Sequence, residues 1–298
     1  LEGGTIMKGD AMTKLLYLEC TSGISGDMCA AALLDAGASE EAVRRALESL
    51  PVEGFAVEIS RVKKSGLDVC DFSVVLDAAH ENHDHDMAYL HGHGGASEHG
   101  HGHDHDRDHG RAHDHDHAHG APGGHHHRGP AEIAQIIDGA AMTDGAKAIA
   151  HRMFGFVADA EARAHGVPVG EVHFHEVGAV DSIADIIAIA VAADDLAPDG
   201  VVVSDLPCGY GTVRCQHGLI PVPAPATAFI AEAAGLTLSP VDVEGELVTP
   251  TGAAAAAALR TEAALPERFS IKAIGMGAGK RAYDTPGILR AMIIEPAE

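Results

Sequence analysis

The sequence has no tryptophan and few aromatic side chains of any kind. Aromatic residues make up 4% of the 298 residues, whereas apolar residues make up 46%. The core must therefore be built mostly from Ala, Val, Ile and Leu. We expect Ala-rich helices in one to three domains, because the chain is long enough to bury a sizeable core.

Basic residues are scarce as well. Twenty Lys and Arg stand against 44 Asp and Glu, which gives a formal net charge of −24. This charge repels phosphate backbones and anionic lipid surfaces at long range and attracts cations. We therefore expect no nucleic-acid partner, and metal ions are the favoured ligands.

The cysteines form no recognisable framework. Five are present, and no two are spaced as C-x-x-C. This argues against a set of disulfides and against a zinc ribbon, so a reducing cytoplasm is the simplest compartment. No apolar run approaches the ~18 to 20 residues of a membrane span, and the first residues contain no apolar signal segment. We expect a cytoplasmic protein with no membrane partner.

Strand-like and helix-like patterns alternate along most of the chain, which predicts an α/β fold of strands and Ala-rich helices with a disordered His-rich insertion. Strands are predicted at "KLLYLE", "FAVEIS", "CDFSVVLD", "GVVVSDL", "FSIKAIGMGAG" and "GILRAMIIE". Three regions follow: an N-terminal α/β unit at 13–78, a disordered metal-binding loop at 79–129 rich in His, Asp and Gly, and an α/β region at 130–298.

Capping residues predict where several helices begin and end. Ser39 begins one helix, and Gly166 ends the long amphipathic helix that starts at 144. Ser182 and Asp185 have the spacing of a capping box before the apolar helix "IIAIAVAA". Another helix is expected over "TPTGAAAAAALRTEAA", beginning near Thr249.

The segment from 80 to 127 is the clearest signal in the sequence. It holds 17 of the 22 histidines and almost no large apolar side chain, so nothing there can offset the entropy of ordering. Repeated His-x-His and His-Asp-His units suit nickel, copper or zinc, whereas the alternative is a purely solvating linker. The candidate metal ligands in it are His99, His101, His103, His105, His113, His115, His117 and His119.

The stretch "EVHFHEVGAVDS" brings further metal-ligand types together. In an extended chain His173 and His175 lie on one face, and Glu176 follows directly. Two nitrogen donors and a carboxylate suit a metal site or a general base. The alternative is a polar connection whose histidines satisfy backbone groups.

Small residues precede a predicted helix at "SGISGDM". Backbone N–H groups near Ser22, Ser25 and Gly26 can cradle an anion while Asp27 holds a cation. The alternative is a tight turn with Asp27 as a favourable acid of the first helical turn.

Two later stretches carry the same ambiguity. "GMGAGK", with Gly277 and Gly279, is either a phosphate loop or a hairpin turn. "TPTG", with Thr249 and Thr251, is interpreted primarily as a capped helix start and secondarily as an anion site.

Five features occur together in a fixed order: "LECTSGISGDM", the His-rich insertion, "AEARAHGVPVGEVHFHEVGAVDSIADI", "GLIPVPAPAT" and "GELVTPTGAA". In this the sequence resembles the nickel-insertion proteins of the lactate racemase cofactor pathway, the LarC family, from about Leu15 to Glu295. The resemblance implies a nickel chelatase, or cyclometallase, of the lyase class. Its substrate would be a pyridinium mononucleotide with two thiocarboxylates, which receives Ni²⁺ through two Ni–S bonds and one Ni–C bond.

The resemblance also suggests roles for the motifs. The His-rich loop would collect nickel, and His173, His175 and Glu176 would supply transfer ligands and the base. Ser22, Ser25 and Asp27 would hold a phosphate or a nucleotide-bound Mg²⁺ or Mn²⁺, with Asp27 also counted among the catalytic candidates.

One departure from the family concerns CTP. LarC-like proteins usually continue with a domain linked to CTP binding and hydrolysis, whereas this sequence ends at Glu298. CTP with Mg²⁺ or Mn²⁺ is therefore implied only by the resemblance. Either a separately encoded CTP-binding part is a partner, or the chain is a truncated product that does not turn over alone. The sequence is also compatible with a homo-oligomer.

Two other functions stay open at this point. A nickel storage or delivery protein also needs an acidic, histidine-rich segment but no catalytic base. A zinc-dependent hydrolase centred on His173 and His175 would need a third close ligand, which the sequence does not identify.

Overall fold

The computed structural model describes most of the chain outside the His-rich insertion. The described residues are 13–77, 128–172, 174, 180–215 and 218–297. The eight candidate ligands of the His-rich loop lie outside them, as do His173, His175 and Glu176. The roles of those residues stay predictions.

Ten strands and seven α-helices make up the described part. The strands are β1 (Leu15–Glu19), β2 (Phe55–Lys64), β3 (Leu67–Leu76), β4 (Gly200–Val203), β5 (Leu206–Tyr210), β6 (Thr212–Cys215), β7 (Gly218–Pro221), β8 (Leu238–Glu244), β9 (Phe269–Ala278) and β10 (Ile288–Pro296). The helices are α1 (Gly26–Asp35), α2 (Glu40–Glu48), α3 (Pro130–Gly139), α4 (Asp144–His165), α5 (Val180–Leu196), α6 (Pro225–Ala234) and α7 (Pro250–Leu259).

Six of the strands form one mixed sheet in the order β2-β3-β9-β10-β1-β4. Strand β1 pairs antiparallel with β10 and parallel with β4. Two small two-stranded sheets, β5-β8 and β6-β7, complete the structure. The predicted α/β class is confirmed, and the main sheet combines strands from both sides of the His-rich insertion.

Ala-rich helices build the core beside the sheet, as the shortage of aromatic residues predicts. Helix α1 contacts β9, β3 and β10 on one side and α5 on another. Helix α5 has buried residues on all its faces and also contacts α2, α4 and α7. No helix of the described residues is long and apolar enough to cross a membrane.

Two glycines of β9 allow α1 to lie close to the sheet. A Cβ atom at Gly277 would come within 2.0 Å of the Met28 carbonyl oxygen, and one at Gly275 within 2.1 Å of the Ala32 carbonyl oxygen. Both glycines lie inside the strand. The interpretation of "GMGAGK" as a hairpin turn was therefore wrong for these two positions, since close helix–strand contact explains them.

Most of the predicted helix ends are confirmed. The Ser39 side chain accepts a hydrogen bond from the Ala42 N–H, and Gly166 adopts the left-handed conformation that ends α4. The capping box at Ser182 was wrong, because α5 already includes Val180. Helix α7 is also shorter than predicted, ending at Leu259.

Candidate functional site

A polar cavity of about 120 Å³ lies where three helices have their N-terminal residues. Helices α1, α5 and α7 all contribute to its wall, together with β3 and the β6–β7 hairpin. The charged residues around it are Asp27, Asp181, Asp185, Arg214, Glu246, Lys280 and Arg281. Helix N-termini present backbone N–H groups and a partial positive charge, so this arrangement can hold an anion.

The loops that enter α1 and α7 run side by side. The Ile24 N–H donates to the Leu247 carbonyl oxygen at 2.9 Å, and the Thr249 N–H donates to the Ile24 carbonyl oxygen at 3.2 Å. Gly23 permits this approach, because it has φ of 108° and a Cβ there would lie 2.3 Å from the Leu247 oxygen. The pairing brings the starts of both helices to the same cavity.

The start of α1 leaves a carboxylate oxygen unused. Ser25 is the N-cap residue, but its hydroxyl donates to Asp27 Oδ1 instead of accepting from the helix. Asp27 is only 8% exposed, and its Oδ2 atom has no hydrogen-bond partner within the described part of the chain. A buried carboxylate without full compensation is costly, which marks this position as a candidate ligand site.

A second carboxyl group lies against the same helix start. A Cβ at Gly26 would come within 2.2 Å of Asp185 Oδ2, so only glycine leaves room for Asp185 here. Burial raises the pKa of Asp185 well above its ordinary value, and the negative charges of Asp27 and Asp181 raise it further. The neutral form of Asp185 is favoured as a result, and such a group can donate or exchange a proton.

Two of the three cations of the cavity, Lys280 and Arg281, have carboxylate partners. Lys280 forms an ion pair with Asp71, and Arg281 Nη1 lies 2.6 Å from Glu246 Oε2. Glu246 is buried, and its pair with Arg281 compensates the charge that burial would otherwise leave unpaired.

Lys64 anchors the segment that carries those cations. Its ammonium group donates to the carbonyl oxygens of Gly279 at 2.7 Å and Arg281 at 2.9 Å. Burial lowers the pKa of Lys64, whereas the nearby Asp27 charge raises it. The backbone contacts hold Lys280 and Arg281 at the cavity wall.

A smaller cavity of about 60 Å³ adjoins the first. Six residues line both cavities: Ser25, Asp27, Glu246, Thr249, Lys280 and Arg281. Tyr283 lines only the smaller one, and it packs over Gly245, where a Cβ would lie 2.2 Å from Tyr283 Cε1. The two cavities therefore form neighbouring compartments of different chemistry around Asp27.

Seven of the predicted binding residues come together here. They are Ser22, Ser25, Gly26, Asp27, Thr249, Thr251 and Gly279. Thr249 Oγ1 accepts from the Gly252 N–H at 3.1 Å, which confirms the capped helix start. Gly277 lies under α1 within β9, and that packing accounts for this glycine.

Of the four residues of the motif "HFHE", the structure describes only the second, Phe174. Phe174 is buried, and its ring packs on Phe154 with the centroids 5.3 Å apart in an edge-to-face arrangement. His173, His175 and Glu176 lie outside the described residues, so their place relative to the cavity is not tested.

Sequence reasoning missed five charged residues of the cavity: Asp181, Asp185, Arg214, Glu246 and Arg281. The spacing of Asp181 and Asp185 by four residues was an available signal, since it places both on one helix face. No such periodic signal marks Glu246 and Arg281, which are far apart in sequence. Within the ranges that the structure covers, no group of three His, Cys, Asp or Glu side chains is placed to hold a metal ion.

Comparison with known proteins identifies the family. The model of the family described as "Nickel insertion protein" matches residues 16–298. The chain belongs to the nickel insertion protein family. This confirms the family to which the sequence motifs pointed, and apart from Leu15 at the start of β1 the match includes every strand and helix of the described fold.

Several relatives carry more specific names. A pyridinium-3,5-bisthiocarboxylic acid mononucleotide nickel insertion protein of Alkaliphilus metalliredigens (strain QYMF) is 47% identical over 286 residues, which cover 95% of this chain and 61% of that protein. A protein of the same name from Geobacillus kaustophilus (strain HTA426) is 37% identical, over 95% of this chain and 60% of that protein. A putative nickel insertion protein of Geobacter sp. (strain M21) is 38% identical, over 96% of this chain and 62% of that protein.

The chain spans about three fifths of the length of these relatives. No solved structure matches the chain.

Proposed function

We propose that this chain takes part in the insertion of nickel into pyridinium-3,5-bisthiocarboxylic acid mononucleotide. The family match over residues 16–298 is the observation that carries the proposal, and the names of two relatives supply the substrate. In this reaction two Ni–S bonds and one Ni–C bond form, and the ring carbon loses its proton to a base. Nickel is a substrate of the reaction.

The cavity at the start of α1 is the proposed site of the mononucleotide. The helix N-termini and the cations Lys280 and Arg281 suit its phosphate and thiocarboxylate groups. Asp185, whose pKa is raised by burial and by neighbouring carboxylates, is a group that can take part in proton exchange there. Ser22, Ser25 and Asp27 stay the proposed binding residues of the first loop.

Nickel would reach this site from histidine ligands. We assign the collection of the ion to the histidines between 99 and 119, and its transfer to His173 and His175, with Glu176 as a candidate base. Imidazole binds Ni²⁺ well, and a chain of weak sites releases the ion more readily than one closed site.

CTP with Mg²⁺ or Mn²⁺ is proposed on the family resemblance alone. Carboxylates such as Asp27 and Asp181 are of the ligand type that Mg²⁺ prefers. However, the described residues place no three such groups around one point, and we derive no step through this nucleotide. A CTP-binding part is a proposed partner.

The test is nickel insertion by the purified 298-residue chain. The mononucleotide and Ni²⁺ are supplied with or without CTP and Mn²⁺, and with or without the part of the Alkaliphilus metalliredigens relative that this chain does not cover. Mass spectrometry follows the appearance of one nickel per mononucleotide. We expect product in at least one mixture. If nickel binds but no mixture yields product, the proposal fails and storage or delivery is favoured.

Two variants separate collection from transfer. Replacing His173 and His175 by Ala should abolish insertion and leave bulk nickel binding intact. Deleting residues 80–127 should reduce insertion only when nickel is scarce. Insertion by the double variant at the wild-type rate would remove both histidines from the proposal.

A further inference from the structure

We propose that the buried carboxylate of Asp27 recognises the positive charge of the pyridinium ring, with the ring held beside the start of α1 where the two cavities meet. This inference rests on the proposed function, because it concerns how the same substrate is bound. The site would then recognise the positive charge of the ring as well as the phosphate of the substrate.

The carboxylate of Asp27 is only partly engaged within the described residues. Asp27 lines both cavities and is 92% buried, and its Oδ2 atom lacks a hydrogen-bond partner among the residues described. Only its Oδ1 atom is engaged, by the Ser25 hydroxyl. A carboxylate in this state gains from a nearby positive charge, because the low dielectric of a protein interior strengthens the attraction.

Two of the three cations that line the larger cavity have carboxylate partners of their own, and the third, Arg214, does not line the smaller cavity. Lys280 pairs with Asp71, and Arg281 pairs with Glu246. The charge of Asp27 raises the pKa of Lys64, but the Lys64 ammonium group donates to two backbone carbonyl oxygens, those of Gly279 and Arg281. No ion pair within the described residues includes Asp27, so its charge is available to a cationic ligand.

The chemistry of a pyridinium ring matches this carboxylate. The nitrogen of a pyridinium mononucleotide carries the ribose and has a positive charge but no N–H to donate. Its charge is spread over the ring, so it needs a nearby negative charge rather than a hydrogen-bond acceptor of defined direction. The buried Oδ2 atom of Asp27, which has no hydrogen-bond partner among the described residues, fits such a cation.

The walls of the smaller cavity support this assignment. Tyr283 and Met28 line it and provide an aromatic and an apolar surface next to Asp27. Aromatic rings attract cations and stack on flat heterocycles, and thioethers contact aromatic rings favourably. The larger cavity, at the helix N-termini, remains for the anionic groups of the same molecule.

The experiment compares two probes that differ in the charge of the ring. Nicotinamide mononucleotide has a pyridinium ring, a ribose and a 5′-phosphate, and its reduced form has a neutral dihydropyridine ring on the same ribose phosphate. Titration calorimetry measures the affinity of each for the full chain. We expect the pyridinium form to bind at least about tenfold more tightly, which is the lower range for a close charge pair.

The variant Asp27→Asn removes the charge and keeps the size of the side chain. It should bind both probes equally, with the affinity for the reduced form close to that of the wild type. The matched control is Asp144→Asn, which removes an exposed first-turn carboxylate from α4 and should leave the preference unchanged. Thermal unfolding of both variants checks that they are folded.

Several results would overturn the inference. These are equal binding of the two probes by the wild type, a preference that survives Asp27→Asn, and no binding of either probe at millimolar concentration. A variant that loses Mg²⁺ or Mn²⁺ binding but keeps the ring preference would assign Asp27 to a metal instead. Nickel insertion without a ring preference contradicts this inference alone, whereas a ring preference without insertion in any mixture contradicts the proposed function alone.

Discussion

Helices α1 and α7 begin at the same cavity, but their first turns are completed in different ways. At α7 the Thr249 side chain caps the helix by accepting from the Gly252 N–H, and the nearby Glu246 is paired with Arg281. At α1 the Ser25 side chain is turned to Asp27, whose second oxygen lacks a partner in the described structure. Both helix starts have similar surroundings, so the difference lies in their side chains.

This difference separates a structural helix start from one adapted to a ligand. The α7 start satisfies its polar groups from its own sequence, which stabilises the fold. The α1 start keeps a buried negative charge that costs stability and gains from a bound cation. Functional sites commonly carry such locally unfavourable groups.

The largest expected effect comes from breaking the compensated pair beside α7. Arg281→Met leaves Glu246 buried without its cation and should lower the free energy of unfolding by about 3–5 kcal/mol. Adding Glu246→Gln should recover most of this loss. Urea unfolding of the single and double variants measures both values, and an equal loss in both would show that the pair is not the cause.

Glycine substitutions test how tightly each helix start is enclosed. A Cβ at Gly252 would lie 2.2 Å from the Ile24 carbonyl oxygen, whereas one at Gly26 would meet the Asp185 side chain. Because backbone yields less than a side chain, Gly252→Ala should cost about 3 kcal/mol and Gly26→Ala less.

Two further variants serve as controls for these glycines. Asp185→Ala should partly rescue Gly26→Ala, since it removes the obstructing side chain. Gly155→Ala, where the structure shows open space within α4, should stabilise the protein by about 0.5–1 kcal/mol. Equal losses at positions 26, 155 and 252 would contradict the packing argument.

A smaller effect is expected from the cap of α7. Thr249→Ala should lower stability by about 1 kcal/mol, because it removes the hydrogen bond to the Gly252 N–H. The affinity for nicotinamide mononucleotide should change little. A large loss of affinity with unchanged stability would instead make Thr249 an anion-binding residue.

The smallest expected effect is a change in the slope of stability against pH. A raised pKa means that folded Asp185 binds a proton more tightly than the unfolded chain does. Its contribution to stability is therefore present below the ordinary carboxyl pKa of about 3.9 and is lost as the pH rises through the raised value. Asp185→Asn should flatten this decline in denaturant unfolding measured between acid and neutral pH. Parallel curves for the two proteins would show that Asp185 is not responsible.

Local patterns predicted the secondary structure well where one residue decides the outcome. Gly166 ends α4 and Ser39 begins α2 as expected, because capping depends on nearby backbone groups. The prediction was wrong at Ser182, where the helix includes the preceding residues. It was also wrong beyond Leu259, where Glu262 instead pairs with Val202 of β4.

The cavity was predicted only in part, because only some of its residues lie in one short motif. Ser25 and Asp27 were recognisable from one short motif. The contributions of Arg214, Glu246 and Arg281 depend on how separate elements meet, which sequence spacing does not reveal. The close contact between Gly277 and α1 is likewise visible only once the sheet order is known.

The most direct test of the central claim is the binding of pyridinium-3,5-bisthiocarboxylic acid mononucleotide itself, measured by titration calorimetry on the wild type and on Asp27→Asn. The account predicts one site per chain in the wild type and an affinity about tenfold lower in the variant, with Asp144→Asn unchanged. Equal affinities of the wild type and Asp27→Asn, or no binding by the wild type, would contradict it.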